Sequence, residues 1–285
     1  MHTSSGRFAL LAGVLLACGS GQYASAQEPA PPTAEFLCAA LRYQETASVR
    51  AAYVVRDSPD AARAWEYRRT AQAVLLKDVV GGVVASYDAE TGECRTQVID
   101  STDKEKRAVL IATSLSGPFC DQSLLETARY PLFAGAPGTR TLREWLPQGT
   151  VSDHKEQIDG HECWRVTVPG PTRSFDAYVI WLDPGIGFCP RRIDFTPSPA
   201  AFAGKVKSME ARFGDYRDLG DGVWFPARLE YESRLADGAV QLRVAEASSV
   251  GSEPAGPKAD LLVPIPSGTD VQLVCRDGIV RSRAE

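Results

Sequence analysis

The chain has 285 residues, 44% of them apolar and 24% charged, with a formal net charge of −5. That composition suffices for a packed core and excludes a disordered chain. The negative balance disfavours a polyanionic partner, so nucleic acid is not an expected ligand.

The first 26 residues read as an export signal. Arg7 precedes an apolar run over residues 8–17, and Ala24-Ser25-Ala26 is a small-x-small cleavage site before Gln27. A second reading takes Leu15-Leu16-Ala17-Cys18 as a lipobox, with a lipidated Cys18 as first mature residue and the chain to Phe36 as a tether. The ten-residue run is too short to span a bilayer, and no later stretch is longer, so no transmembrane segment is expected in the mature chain. Six cysteines remain: Cys38, Cys94, Cys120, Cys163, Cys189 and Cys275. An even number in an oxidising compartment predicts up to three disulfides of open connectivity, with free buried thiols as the alternative.

Residues 27–33 form a Pro-rich leader, and residues 34–285 are expected to be a single domain. The leader runs into an amphipathic helix over residues 34–49, with Phe36, Leu37, Ala40 and Leu41 on one side. Early strands are predicted over residues 65–76 and 83–87, with turn chemistry at Gly81-Gly82 and residues 89–92. Residues 121–130 read as a short helix capped by Asp121 and ended by Pro131, and residues 139–145 as a second one.

From Val151 onward alternation dominates. Trp164, Val166 and Val168 share one strand face and Cys163, Arg165 and Thr167 the other. Residues 178–182 (YVIWL) are apolar on both faces and stop at Asp183-Pro184-Gly185, a strong turn. Residues 213–217, the turn Gly220-Asp221-Gly222 and residues 223–226 form a strand, turn and return strand. The next hairpin turns at Asp237-Gly238, with Leu229 and Tyr231 expected to face inward together with Val240, Leu242 and Val244. The sum is a mainly β chain with a few helices, a long antiparallel sheet carrying the helices on one face.

The chain has no GxSxG elbow, HExxH, P-loop, GxGxxG or CxxC. Ser152-Asp153-His154 holds triad residue types, but adjacent residues on a strand point to alternate faces. His161 and Cys163 share a face, which permits a thiol–imidazole pair, but a disulfide cysteine beside a surface histidine is the favoured reading. Asp215, Asp218 and Asp221 sit in turn-rich segments that favour Asp for backbone hydrogen bonding. Asp100, Asp103 and Glu105 lack the glycine and closing Glu of a calcium loop. No catalytic residue, metal site or cofactor is predicted.

Three stretches carry a family likeness: Ile158-Asp159-Gly160 with Cys163-Trp164-Arg165-Val166; Trp181-Leu182-Asp183-Pro184 with Pro190-Arg191-Arg192-Ile193; and Phe213-Gly214-Asp215-Tyr216 with Asp221-Gly222-Val223-Trp224-Phe225-Pro226. In this order, with the closing Ile265-Pro266-Ser267-Gly268-Thr269-Asp270-Val271, they resemble the LolA-like superfamily of periplasmic outer-membrane lipoprotein carriers and lipoprotein-sorting proteins. The resemblance implies one strongly curved antiparallel sheet, an unclosed half-barrel whose concave apolar face is covered by helices and holds acyl chains. It implies a location in the periplasm or on the periplasmic face of the outer membrane, without enzymatic activity. The residues expected to line such a cavity are Trp164, Val166, Val179, Trp181, Phe213, Trp224, Leu229, Tyr231, Val240 and Leu242. The carrier also uses an arginine to fasten its lid; Arg68 and Arg69 lie on an early strand, and neither is assigned that part. The partners implied are a lipid or lipoprotein acyl chain or, on a second reading, an envelope protein bound by a sensor or scaffold; a secreted hydrolase is a third.

Overall fold

The structure, a computed structural model, describes residues 30–58, 61–78, 84–88, 90–91, 94–99, 107–112, 145–170, 175–252, 256–265, 267, 269–275 and 278–283. The export signal, Cys18, Cys120 and the helix expected over residues 121–130 lie outside them, as does all of residues 139–145 but Trp145.

Helix α1 spans Ala34–Thr46. Thr33 caps it, its hydroxyl accepting from the Phe36 amide, so the predicted leader boundary coincides with a physical N-cap. The helix ends three residues before the predicted Val49, because Val49 already opens a strand. Fifteen strands follow among the described residues: β1 (Val49–Ser58), β2 (Ala61–Arg69), β3 (Ala73–Asp78), β4 (Val84–Asp88), β5 (Cys94–Ile99), β6 (Arg107–Ala112), β7 (Thr150–Ile158), β8 (His161–Pro169), β9 (Phe175–Asp183), β10 (Cys189–Pro197), β11 (Val206–Asp218), β12 (Trp224–Leu235), β13 (Val240–Ser252), β14 (Asp270–Cys275) and β15 (Gly278–Arg283).

They form one sheet in the order β15-β14-β6-β5-β4-β3-β2-β1-β13-β12-β11-β10-β9-β8-β7, with β15 and β7 at its open ends. Every pairing is antiparallel except β14 on β6, which is parallel. The single strand predicted over residues 65–76 is instead two. Thr70 breaks it, its hydroxyl accepting from the Gln72 and Ala73 amides in a tight turn.

The sheet curves around α1. Leu37 and Leu41 share one apolar cluster with Tyr53, Tyr67 and Leu76 from β1 to β3 and with Val166, Ile180 and Ile193 from β8 to β10. In a flat sheet β3 and β8, eight places apart in the strand order, would stand almost 40 Å apart at about 4.8 Å per strand. The rings of Tyr67 on β2 and Phe225 on β12 stack at 5.6 Å, although β1 and β13 lie between their strands. The face under α1 is therefore the concave, inner one.

The outer face is covered differently. Over β3 to β5 lies the segment from Lys258 to Val263. Its Val263 amide donates to the Ser86 hydroxyl, its Val263 carbonyl accepts from Arg95, and Lys258 pairs with Asp88 and Glu90. Over β10 to β13 lies a lattice of ion pairs in which Arg192 holds Asp194 and Glu210, and Arg228 holds Glu230 and Glu246. Pairs this exposed each contribute little stability, and they serve mainly to keep the face wet.

Candidate functional site

The end of α1 is the most elaborately held point on the inner face. Leu37, Leu41 and Gln44 recur at helical spacing, so Gln44 lies on the apolar stripe and is buried. Its side-chain amide donates to the Gly222 carbonyl at 2.9 Å and its Oε1 accepts from the Trp224 amide at 2.9 Å. Tyr43, one residue earlier, donates to the Asp221 carbonyl at 2.7 Å. The turn predicted at Gly220-Asp221-Gly222 is therefore the seat of the helix.

From the opposite wall, Arg69 reaches the same helix end. Alternation along β2 puts Trp65, Tyr67 and Arg69 on the inner face, and Arg69 is 1% exposed. Its Nη2 donates to the Gln44 carbonyl at 2.9 Å and its Nε to the Ala47 carbonyl at 3.2 Å, while its guanidinium lies 5.6 Å from the Phe225 ring centre. Carbonyls at a helix C-terminus lack intrahelical partners and carry the negative end of the dipole, so a buried cation is stabilised there. Close by, the buried Tyr53 hydroxyl donates to the Pro226 carbonyl at 2.8 Å, and burial pushes its phenol well above the ordinary value.

Of the residues expected to line the inner face, Val166, Phe213 and Leu229 lie in the apolar cluster, and Tyr231 packs against it. Trp164 is buried on the same face towards β7, where the Lys155 ammonium sits 5.9 Å from its ring centre. The other five point elsewhere. Val179 and Trp181 alternate with the inner Tyr178, Ile180 and Leu182 and so face outward. Trp181 donates to Glu156 at 2.8 Å and stacks under Arg192. Trp224 opens β12 one residue before the inner Phe225 and falls on the outer side.

Val240 and Leu242 are also outward, about half exposed, and Val244 shares their row. The hairpin loop decides this. It has three residues, Ala236-Asp237-Gly238, with Gly238 at φ +90, and it pairs Leu229 with Ala245 and Glu232 with Leu242. A loop one residue shorter or longer would turn the even-numbered residues inward.

A second row of interest crosses the outer face at the ends of β8, β9 and β10. Register places Cys163 beside Asp183 and Asp183 beside Cys189. Asp183 is buried; it accepts from the Gly185 amide, pairs with Arg191 at 2.9 Å and lies 3.5 Å from His161 Nδ1. The two cysteines are free thiols. The disulfide expectation fails for this pair because two strand spacings, about 10 Å, exceed the reach of a disulfide. Burial, with the negative Asp183 adding to it, pushes the Cys163 thiol up to about 12, and burial likewise pushes Cys189 up to about 12. A buried thiol held protonated is not a nucleophile, so the His161–Cys163 pair is structural. Ser152, Asp153 and His154 do not converge either: Ser152 Oγ donates to the His154 carbonyl within a bulge of β7. Among the described residues no group of His, Cys, Asp and Glu is arranged to hold a metal ion.

The thiols carry a pH prediction. Their folded values lie above the value of about 8.5 for a free cysteine, so the unfolded chain loses these protons first as pH rises. The contribution of the two thiols to stability is expected to be constant below about pH 8 and to be lost between about pH 9 and 12. Denaturant midpoints at pH 7 and pH 10.5, compared with those of Cys163→Ala, check it; equal losses in both proteins would exclude Cys163 as a cause.

Comparison with solved structures finds remote likenesses that extend over most of the chain. A LolA superfamily protein from Nitrosomonas europaea is 15% identical, over 81% of this chain and 98% of that one, at a TM-score of 0.49. A domain assigned to the outer membrane lipoprotein-sorting proteins, from Vibrio parahaemolyticus, is 11% identical over 80% and 97%, at 0.43. The Pseudomonas aeruginosa MucA/MucB complex is similar over 78% of this chain and 99% of that one, with 11% identity and a TM-score of 0.27. No protein-family model and no curated protein matches the sequence.

The LolA-like reading implied a cover over the inner face and an arginine that fastens it, but assigned that part to no residue and did not anticipate Gln44. Two signals in the sequence mark the fastenings: a glutamine on the apolar stripe of α1, and an arginine ending the alternation Trp65, Tyr67, Arg69.

Proposed function

We propose that the protein is an exported, non-enzymatic binding protein of the cell envelope that holds a lipid or lipoprotein acyl chain on its inner face beneath α1. The observation that carries this is the way the helix is held. Its last turn is tied to both walls by Arg69, Gln44 and Tyr43, while Leu37 and Leu41 meet the sheet through apolar contact. A chain that slips under such a helix replaces apolar contacts by apolar contacts and leaves the polar ties intact. Each methylene so buried contributes up to about 0.8 kcal/mol, so a half-covered chain of roughly 14 carbons gains several kcal/mol. Among the described residues no helix is long and apolar enough to cross a membrane, and the chain is read as working on the periplasmic side.

Native mass spectrometry of protein released gently from its own envelope fraction tests this. A releasable lipid adduct, and uptake of a fluorescent acyl lipid by the stripped protein, are expected. Trp181→Phe, on the outer face, should bind as the parent does and lose about 1 kcal/mol of stability with its hydrogen bond to Glu156. Absence of both adduct and uptake would sink the acyl-chain reading.

One observation favours a protein partner instead. Trp145, Phe175, Tyr178, Phe195, Phe202 and Tyr231 pack ring against ring at 4.7–6.5 Å across β9 to β12, filling that part of the inner face. On this reading the fold is a scaffold, and the same preparation would carry a bound polypeptide and no lipid.

A further inference from the structure

Among the described residues the apolar cluster contains two indole N–H groups without a hydrogen-bond partner. Trp65 is 3% exposed and Trp145 is 1% exposed, and the indole Nε1 of each is buried without a hydrogen-bond partner. Buried donors are nearly always paired, and leaving one unpaired forfeits its hydration with nothing in return. The outer Trp181 shows the usual arrangement, its Nε1 donating to Glu156. The two orphan donors belong to the cluster that includes Leu37 and Leu41 of α1. Trp65 stands on β2 in register with Tyr53, and Trp145 packs at 4.7 Å on Tyr178 of β9, so the pair samples both walls of the inner face.

We propose that the indole N–H groups of Trp65 and Trp145 are anchor points for the bound molecule and select an acyl lipid carrying carbonyl oxygens, such as the ester carbonyls at the head of its chains, over a bare hydrocarbon or ether chain. This rests on the acyl-chain reading and adds the polar part of the ligand to it. An uncharged carbonyl is the acceptor that suits a dry site, because burying a carboxylate or phosphate there costs far more. A water molecule suits it less, since a buried water needs two to four polar partners and each of these donors stands in an apolar cluster. A donor left unpaired in the free protein and paired in the complex also adds to affinity, because its desolvation is already spent before the ligand arrives.

The experiment compares dioctanoyl phosphatidylcholine with its dialkyl ether analogue of equal chain length, on protein labelled with nitrogen-15, the indole signals being assigned from Trp65→Phe and Trp145→Phe. With the ester lipid, both indole N–H resonances should move downfield, and affinity should exceed that for the ether by about tenfold, the worth of roughly one good hydrogen bond. Each substitution should lower ester affinity severalfold and leave ether affinity unchanged. Equal binding of the two lipids with unmoved indole signals would overturn the carbonyl assignment and leave the acyl-chain reading standing. Binding of neither lipid would overturn both.

Discussion

Replacing Arg69 by methionine is expected to be the most damaging single change on the inner face that spares its volume. The substitution fills much of the same space but leaves the Gln44 and Ala47 carbonyls without their charged donor at 2.9 and 3.2 Å. Hydrogen bonds to a charged group are each worth about 1.5–3 kcal/mol, and the Gln44 carbonyl is left with the long bond from the Ala47 amide at 3.4 Å, so a loss of roughly 3 kcal/mol is expected. For a domain of this size that corresponds to a Tm lower by about 6–12 °C. The denaturant midpoint should fall with an unchanged slope, since the folded core is kept. Hydrogen exchange should place the loss in α1, whose amides open ahead of β11 and β12. A uniform rise in exchange over the whole sheet would mean that Arg69 supports the core at large and does not act on the helix.

Gly187→Ala is expected to cost about as much by another route. Gly187 has φ +64, a left-handed conformation that costs alanine roughly 1–2 kcal/mol. An added Cβ would also lie 2.4 Å from the Gln44 Nε2. A free glutamine would swing away at little cost. This one is held by the Gly222 carbonyl on one side and the Trp224 amide on the other, so moving it loses two hydrogen bonds of about 1 kcal/mol each. The expected total is about 3 kcal/mol, read from the denaturant midpoint. Gly204→Ala is the matched control, with φ +68 and nothing within 4 Å of the new methyl, and should show the backbone cost alone. Combined with Gln44→Ala, the Gly187→Ala loss should shrink towards that of the control, because the clash and the lost hydrogen bonds share one side chain. Strict additivity would show that Gln44 is not the group displaced.

These two residues show which parts of the site local pattern conveys. Alternation along Trp65, Tyr67 and Arg69 is visible as letters, and so is the helical spacing of Leu37, Leu41 and Gln44. What the pattern omits is that both features end at one point, since Arg69 meets the Gln44 carbonyl and the Gln44 side chain meets a turn some 180 residues further along. The aromatic strands illustrate the converse. Trp164, Trp181 and Trp224 each sit on a strand with an apolar neighbour, yet only Trp164 faces inward, because Trp181 is one residue out of phase with Ile180 and Leu182 and Trp224 one residue out of phase with Phe225. In a segment such as YVIWL, apolar on both sides, composition has no phase, and only pairing with neighbouring strands supplies one.

By itself the sequence determined the mainly β class, the helix that opens the domain, the turns at Asp183-Pro184-Gly185, Gly220-Asp221-Gly222 and Asp237-Gly238, and the lack of any recognisable catalytic motif. These depend on residues within a few positions of one another, through capping, alternation and turn conformations. Tertiary structure alone decided the faces of β9, β12 and β13, the separation of Cys163 from Cys189 by Asp183, and the seating of α1 between Arg69 and Gly222. Each of those is a relation between strands, fixed by loop length, register and the curvature of the sheet, and none has a local signature in the chain.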